Sequence, residues 1–490
     1  MKKKYIILSI ITLVLLITFV TSFNYFKTSN TYVENNSNNQ TKITKGISMN
    51  LEQTAGAGDY KQVTQSSWPT EGYKFNAELS KCENGGEISW DDTKKAVIVS
   101  GNLSDKCYVY FDIYQLTLAE YIKSQYTGTQ GDNALYYHNS TLTNGAGDNS
   151  YRYAGGDYVL TEAGKATGAT MMIGYNNSVT TALIDFYCNG TKQYVGYASS
   201  CSTSHYYLIK GDTTQYQTYN EALNASVEKG YLTKDNVKNF VCFGSDATTC
   251  PTENLYRIIG VFNNHVKLIK YDYAKSSLLG TDGDFSQEYT SNYFSGEQGE
   301  SPSSNSLYYW NNDTKKNTWS ESNLNKVNLN TNFVNNIGTI WSNKIATTTW
   351  KVGGGTYANL RDAVPKTAYQ YEVGSSASTT TYDAKIGLMY VSDYYYSASP
   401  SAWTLVGYNS DYTKSYASAK GENWLYGGGW DWTISRYSGF SYDAFYVYYH
   451  GYVNNYTVNS YYGVRPSFSL LPSTTYVSGS GSMSDPVRIN

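Results

Sequence analysis

The sequence LYRIIGVFNNHVKLIK at residues 255–270 determines how we interpret the C-terminal three quarters of the chain. Its two halves are rich in β-branched and apolar residues, which favours strands. Asn263 and Asn264 stand between the two halves. Such a pair is typical of a tight turn, because Asn tolerates a left-handed backbone. We therefore expect a β-hairpin over these residues.

The segments on both sides of this hairpin predict a larger domain over residues 117–490. LTLAEYIKSQ at 116–125 predicts a short amphipathic helix at its beginning, and apolar residues near helical spacing within 308–345 predict two more short helices. From residue 385 onward, short strands alternate with long loops rich in Gly, Ser and Tyr. Residues about 157–238 interrupt this pattern, and we interpret them as an insertion.

The N-terminal part predicts export. Lys2, Lys3 and Lys4 precede an uncharged run that ends at Phe23. A run of this length is just sufficient for a bilayer-spanning helix, and the lysines favour a cytoplasmic N-terminus. We expect a signal anchor over 1–23, with a cleaved signal peptide as the alternative. A flexible linker over 24–45 and a small disulfide-stapled β module over 46–115 would follow. The protein would then lie in the cell membrane as a single-pass protein with its C-terminal part extracellular.

Six cysteines follow the apolar run and form three local pairs. Six cysteines allow 15 pairings, so nearest-neighbour pairing is one hypothesis among several. An even number of cysteines outside the cytoplasm favours disulfides over metal sites, and the four His residues are scattered. The expected pairs are Cys82 with Cys107, Cys188 with Cys201, and Cys242 with Cys250.

The composition argues against several classes of function. The chain has 490 residues, a net charge of −3 and only 16% charged residues, so nothing indicates a nucleic-acid partner. It contains 53 Tyr. Tyr offers contact area, a polar tip and little side-chain entropy to lose, which suits a binding surface. Tyr also favours ordinary strands, and this second interpretation stays open.

The order of motifs resembles a known family. After the hairpin come WSESNLNKVNLNTNFVN, IGLMYVSDYYYSA, WDWTISRYSG, FYVYYHGYV and finally YYGVRPSFSL. This order is similar to that of uncharacterised surface proteins of gut-type Firmicutes. They share a C-type-lectin-like fold with the formylglycine-generating (sulfatase-modifying) domain. The resemblance implies an α+β fold class: an N-terminal transmembrane helix, a small β-sandwich-like module, and a C-type-lectin-like α+β head with an insertion.

The resemblance does not carry over the family's enzymatic activity. The enzyme of this superfamily uses a cysteine pair near its C-terminus, and this chain has no cysteine after Cys250. Some relatives instead display a variable ligand-binding face just before the last strand. Residues 436–462 have a similar composition, and strand periodicity places Tyr446, Tyr448 and His450 on one side. The ligand-binding candidates are Trp430, Trp432, Tyr437, Tyr442, Tyr446, Tyr448, His450, Tyr452 and Tyr456. Packing within a surface hairpin is the alternative for the tyrosines, and anchoring of the core is the more common role of Trp.

The sequence favours a membrane-tethered binding protein, such as an adhesin, that recognises a glycan or a surface protein of another cell. Asp282, Asp284 and Glu288 form a weak calcium candidate, and a solvated turn is the simpler interpretation. We expect no other metal and no cofactor. A carbohydrate-active hydrolase with two facing carboxylates is the first alternative. A passive structural surface protein is the second.

Overall fold

The computed structural model divides into two compact units, Met1–Gln115 and Leu116–Asn490. It describes residues 46–64, 68–69, 72–101, 105–173, 180–193, 201, 203–234, 236–289, 305–407, 421–448 and 451–490. The expected signal anchor over 1–23 and the linker over 24–45 lie outside the described residues.

The first unit is a small β module. Its six strands form a four-stranded sheet and a separate two-stranded hairpin. Met49, Val109 and Phe111 are buried in its core. The Cys82–Cys107 disulfide joins the ends of two neighbouring strands, as the sequence predicted. The strands are Ile47–Glu52, Tyr60–Val63, Tyr73–Cys82, Glu87–Asp91, Ala96–Ser100 and Cys107–Ile113.

The second unit is built around the predicted hairpin, Leu255–Phe262 with His265–Lys270. Asn263 and Asn264 have φ angles of 47° and 67°, the left-handed conformation that the turn requires. Both strands are almost fully buried because further strands pair on each side of the hairpin. The resulting seven-stranded central sheet adds Leu135–Tyr137, Tyr151–Tyr153, Phe240–Cys242, Ile386–Gly387 and Ser467–Ser469.

A separate hydrophobic core lies within the segment that we interpreted as an insertion. Leu183, Ile184 and Phe186 pack there against Tyr219 and Leu223 of an amphipathic helix. The Cys188–Cys201 disulfide closes a loop beside this core. The elements are Glu162–Ala166 and Tyr219–Glu228 as helices, and Val159–Leu160, Met171–Ile173, Ala182–Cys188, Thr191–Gln193, His205–Ile209 and Leu232–Thr233 as strands.

A three-stranded antiparallel sheet near the C-terminus carries most of the predicted ligand-binding residues. It consists of Asp431–Arg436, Asp443–Val447 and Val453–Thr457, and we call it the tyrosine sheet. Every residue of its middle strand is buried. The remaining strands are Phe285–Tyr289, Asn305–Tyr309, Thr348–Lys351, Thr381–Ala384, Tyr461–Tyr462, Tyr476–Ser478 and Arg488–Ile489.

Short helices connect these sheets. Thr117 caps the first of them, Leu118–Ser124, because its hydroxyl accepts from the Glu120 amide while the Glu120 carboxylate accepts from the Thr117 amide. A ten-residue π-helix spans Leu324–Phe333. The other α-helices are Ser276–Leu279, Val334–Asn336, Thr339–Ser342, Pro365–Glu372 and Val391–Tyr396, and the 3₁₀ turns are Asp132–Ala134, Thr252–Asn254, Trp319–Glu321 and Pro400–Thr404.

The predicted fold class is wrong. Strands account for 35% of the protein and helices for 19%, and the strands form many small sheets rather than the expected α+β head. The predicted transmembrane helix is not supported either. Within the described ranges, no helix is long and apolar enough to cross a membrane. The error arises because short apolar patterns separated by Tyr-rich loops do not reveal how strands group into sheets.

Three disulfides are present, and their pairing is the nearest-neighbour pairing predicted from the sequence. Cys242–Cys250 closes the loop before the central hairpin. Such bonds persist in oxidising compartments. The disulfides are therefore consistent with an extracellular protein.

Candidate functional site

The register of the tyrosine sheet assigns the candidate residues to different faces. Tyr446 lies opposite Trp432, and Tyr456 lies opposite Ala444. Residues that are paired across antiparallel strands share a face, and so do residues two apart along a strand. Trp432, Tyr446 and Tyr456 therefore lie on one face, whereas Phe445 lies on the other.

A continuous cluster of aromatic rings is built around Tyr446. The ring centroids of Tyr446 and Tyr462 lie 4.6 Å apart, and those of Trp432 and Tyr462 are equally close. Tyr448 contacts Tyr446 at 6.2 Å and stacks on Tyr452 at 4.8 Å. We call this group the tyrosine cluster, and its members are Trp430, Trp432, Tyr446, Tyr448, Tyr452, Tyr456 and Tyr462.

The tyrosine cluster runs from the protein interior to the surface. Trp432 is 0% exposed and Tyr446 is 3% exposed, so the prediction that Tyr446 belongs to an exposed surface is wrong. Tyr448 and Tyr452 are half-buried. Tyr456 is 53% exposed and forms the outer end. The buried rings therefore hold a half-exposed aromatic surface in a fixed position.

Burial also sets the chemistry of the phenols in this cluster. Desolvation raises the pKa of Tyr446 and of Tyr462 well above the usual value for a phenol. Both hydroxyls therefore remain protonated at any physiological pH. The inner part of the cluster contributes neutral donors and apolar ring faces, and no charge.

Tyr437 and Tyr442 belong to a different aromatic group. Tyr437 contacts Phe445, on the opposite face of the tyrosine sheet, at 5.9 Å and stacks on Tyr357 at 4.1 Å. Phe440 and Tyr442 stack on each other at 5.3 Å, and each is 47% exposed. The candidates predicted from the sequence therefore do not form a single surface.

His450, the remaining ligand-binding candidate, lies outside the described residues.

The three carboxylates of the calcium candidate bond to different parts of the chain. The carboxylate of Asp284 is buried and accepts from the amides of Asn312 and Leu324, so it organises local backbone. Asp282 bonds the Asn332 amide and Glu288 bonds the Ser306 hydroxyl, so the three carboxylates point to separate partners. No group of metal-ligating residues occurs in the part of the chain that the structure describes.

A cavity of about 330 Å³ lies beside the central sheet, and sequence reasoning did not find it. Two ion pairs with buried cations line it. Arg152 Nη2 lies 2.6 Å from Asp148 Oδ2, and Lys267 Nζ lies 2.5 Å from Asp393 Oδ2. These residues come from segments that are far apart in the sequence. The residues next to each of these charges in the sequence do not indicate that it is buried. The two ion pairs therefore could not be predicted from the sequence.

Glu372 is next in sequence to Val373, which lines this cavity, but is not itself one of the lining residues. Its carboxylate accepts from the amides of Val391 and Ser392, at the N-terminus of the helix Val391–Tyr396, and from the Ser435 hydroxyl. Complete burial raises its pKa to about 7 despite these hydrogen bonds. Glu372 therefore titrates near physiological pH.

Comparisons with known proteins identify no relative of this chain. No protein-family model, curated protein or solved structure matches it. Function must therefore be inferred from the site itself.

Proposed function

We propose that the protein is an extracellular binding protein, and that the outer end of the tyrosine cluster contacts a glycan or a surface protein of another cell. The observation that supports this most is the continuity of the cluster, from fully buried Trp432 to half-exposed Tyr456. The three disulfides support an extracellular location.

The physical reason is preorganisation. An exposed Tyr that is free to rotate loses side-chain entropy when it binds. Here Tyr452 stacks on Tyr448, and Tyr448 contacts buried Tyr446, so the outer rings are already oriented. A rigid Tyr surface offers ring faces to the apolar side of a sugar and hydroxyls to its polar edge.

The experiment is a screen of the purified full chain against a glycan array and against intact cells. Wild type should bind at least one of these surfaces. Tyr456→Ala should weaken that binding about tenfold, because truncating a central aromatic contact typically costs one to several kcal/mol. Tyr456 should tolerate the change without unfolding, since it is 53% exposed.

The matched control is Tyr371→Ala. Tyr371 is 38% exposed, lies on the helix Pro365–Glu372 and is not part of the tyrosine cluster. This variant should bind like wild type. No binding by wild type in either arm, or equal losses in both variants, would contradict the proposal.

A further inference from the structure

We propose that the 330 Å³ cavity beside the central sheet is a second binding site, for a small carboxylated sugar of the hexuronate type. The site is separate from the tyrosine cluster, and the inference does not rest on the proposed function.

The charge of the cavity favours a ligand with one negative charge. Arg152, Lys267 and Lys351 line it together with Asp148 and Asp393, so the cations exceed the carboxylates by one. Arg152 and Lys267 are already paired. The Lys351 ammonium donates to a main-chain carbonyl at 3.0 Å. Among the described residues, no carboxylate lies within ion-pair distance of Lys351. A ligand carboxylate would supply this missing counter-charge.

The walls of the cavity combine aromatic rings with polar groups. Lys267 Nζ lies 4.7 Å from the Tyr390 ring centroid and 5.3 Å from the centroid of Trp350. Trp350 packs tightly on the backbone of Gly387, where a Cβ would come within 2.8 Å of the indole. Tyr369 lies 5.1 Å from the Arg152 guanidinium. Trp350 is 2% exposed and Tyr390 is 7% exposed, whereas Tyr369 is half-buried. The ring of Tyr369 would therefore contact an apolar C–H face of a pyranose, and the neighbouring polar side chains would bind its hydroxyls.

The size of the cavity limits the ligand. Small-molecule sites span roughly 300–1,000 Å³, and this one lies near the lower limit. A monosaccharide is therefore a better match than an oligosaccharide. The ion pairs fix the positions of the polar groups before binding, so little reorganisation is needed.

The experiment is isothermal titration calorimetry of the full chain with D-glucuronate, D-glucose and L-alanine. Glucuronate should bind about tenfold more tightly than glucose, which lacks the carboxylate, because a charge-assisted hydrogen bond contributes on that scale. Equal affinity for glucuronate and glucose, or no binding of glucuronate, would overturn the proposal. Preferential binding of alanine would also overturn it, because a zwitterion would then be the better ligand class.

Three variants locate the site. Lys351→Gln removes the unpaired charge and should bring the affinity for glucuronate down to that for glucose. Thr348→Trp fills the cavity from a half-buried position and should abolish binding of both sugars. Lys366→Gln, an exposed position that does not line the cavity, should bind glucuronate like wild type. Thermal unfolding shows whether each variant is folded. Wild-type affinity in folded Thr348→Trp would contradict the assignment of the site.

Discussion

Tyr446→Ala tests whether the inner half of the tyrosine cluster serves stability rather than direct contact with a ligand. Tyr446 is 3% exposed, and its ring lies 4.6 Å from that of Tyr462 and 6.0 Å from that of Trp432. Truncating a buried aromatic ring costs about 3–5 kcal/mol, because contacts are lost and a cavity remains. Tyr446→Phe removes only the hydroxyl and should cost about 1 kcal/mol.

The assay is urea unfolding of the full chain monitored by tryptophan fluorescence, to which Trp432 of this cluster contributes together with the other tryptophans. Tyr456→Ala is the matched control, because Tyr456 is 53% exposed and belongs to the same cluster. It should cost no more than about 0.5–1 kcal/mol. A loss below about 1 kcal/mol for Tyr446→Ala, or equal losses for the two alanine variants, would refute the assignment of an inner and an outer half.

Three other predictions concern buried charge and backbone geometry. Burial raises the pKa of Glu372 from its ordinary value of 4.5 to about 7, so between these pH values the folded state retains a proton that the unfolded state has lost. This proton alone should lower the free energy of unfolding by about 3 kcal/mol as the pH rises from 4.5 to 7. The pH dependence of unfolding curves should therefore differ by this amount between wild type and Glu372→Gln, and an equal pH dependence would contradict the assignment. Asp393→Asn leaves Lys267 buried without its counter-ion and should lower the free energy of unfolding in urea by about 3–5 kcal/mol. The control Asp362→Asn, in a more exposed ion pair, should lower it by less than about 1 kcal/mol, and equal losses would contradict this prediction. Asn264 has a φ of 67°, a left-handed conformation that a β-branched residue adopts only with strain. Asn264→Val should therefore lower the free energy of unfolding by about 1–2 kcal/mol in the same assay, and Asn264→Gly by only a few tenths. An unchanged stability of Asn264→Val would contradict the turn geometry.

Features that depend on nearby residues could be predicted from the sequence. The central hairpin follows from two apolar runs around Asn263 and Asn264. The helix Leu118–Ser124 begins at Thr117, where the capping box places it. The disulfides follow the three local cysteine pairs. In each case the residues that determine the feature lie within about 25 positions of one another in the sequence.

The grouping of strands and the burial of the candidate residues could not be predicted. Strand periodicity indicates which side chains share a face, and it correctly separates Tyr446 from Phe445. It does not indicate whether that face is covered by another part of the chain. Tyr462 contacts both Trp432 and Tyr446 and follows the last strand of the tyrosine sheet, and nothing in its neighbouring residues singles it out.

The cavity beside the central sheet was missed for a similar reason. Its charged residues are Asp148, Arg152, Lys267, Lys351 and Asp393. They lie on several strands, loops and helices, so their proximity is a consequence of the tertiary fold alone. A passive structural protein, the second alternative that the sequence left open, predicts no binding by wild type in the glycan and cell screen.

The most direct test compares the tyrosine cluster with the second aromatic group, which contains Phe440 and Tyr442. Tyr456→Ala and Tyr442→Ala remove tyrosines of nearly equal exposure, 53% and 47%, from the tyrosine cluster and from the second aromatic group. Affinity is measured for the ligand that the glycan and cell screen identifies. We predict a loss of about tenfold for Tyr456→Ala and wild-type affinity for Tyr442→Ala. Wild-type affinity for Tyr456→Ala would contradict the account.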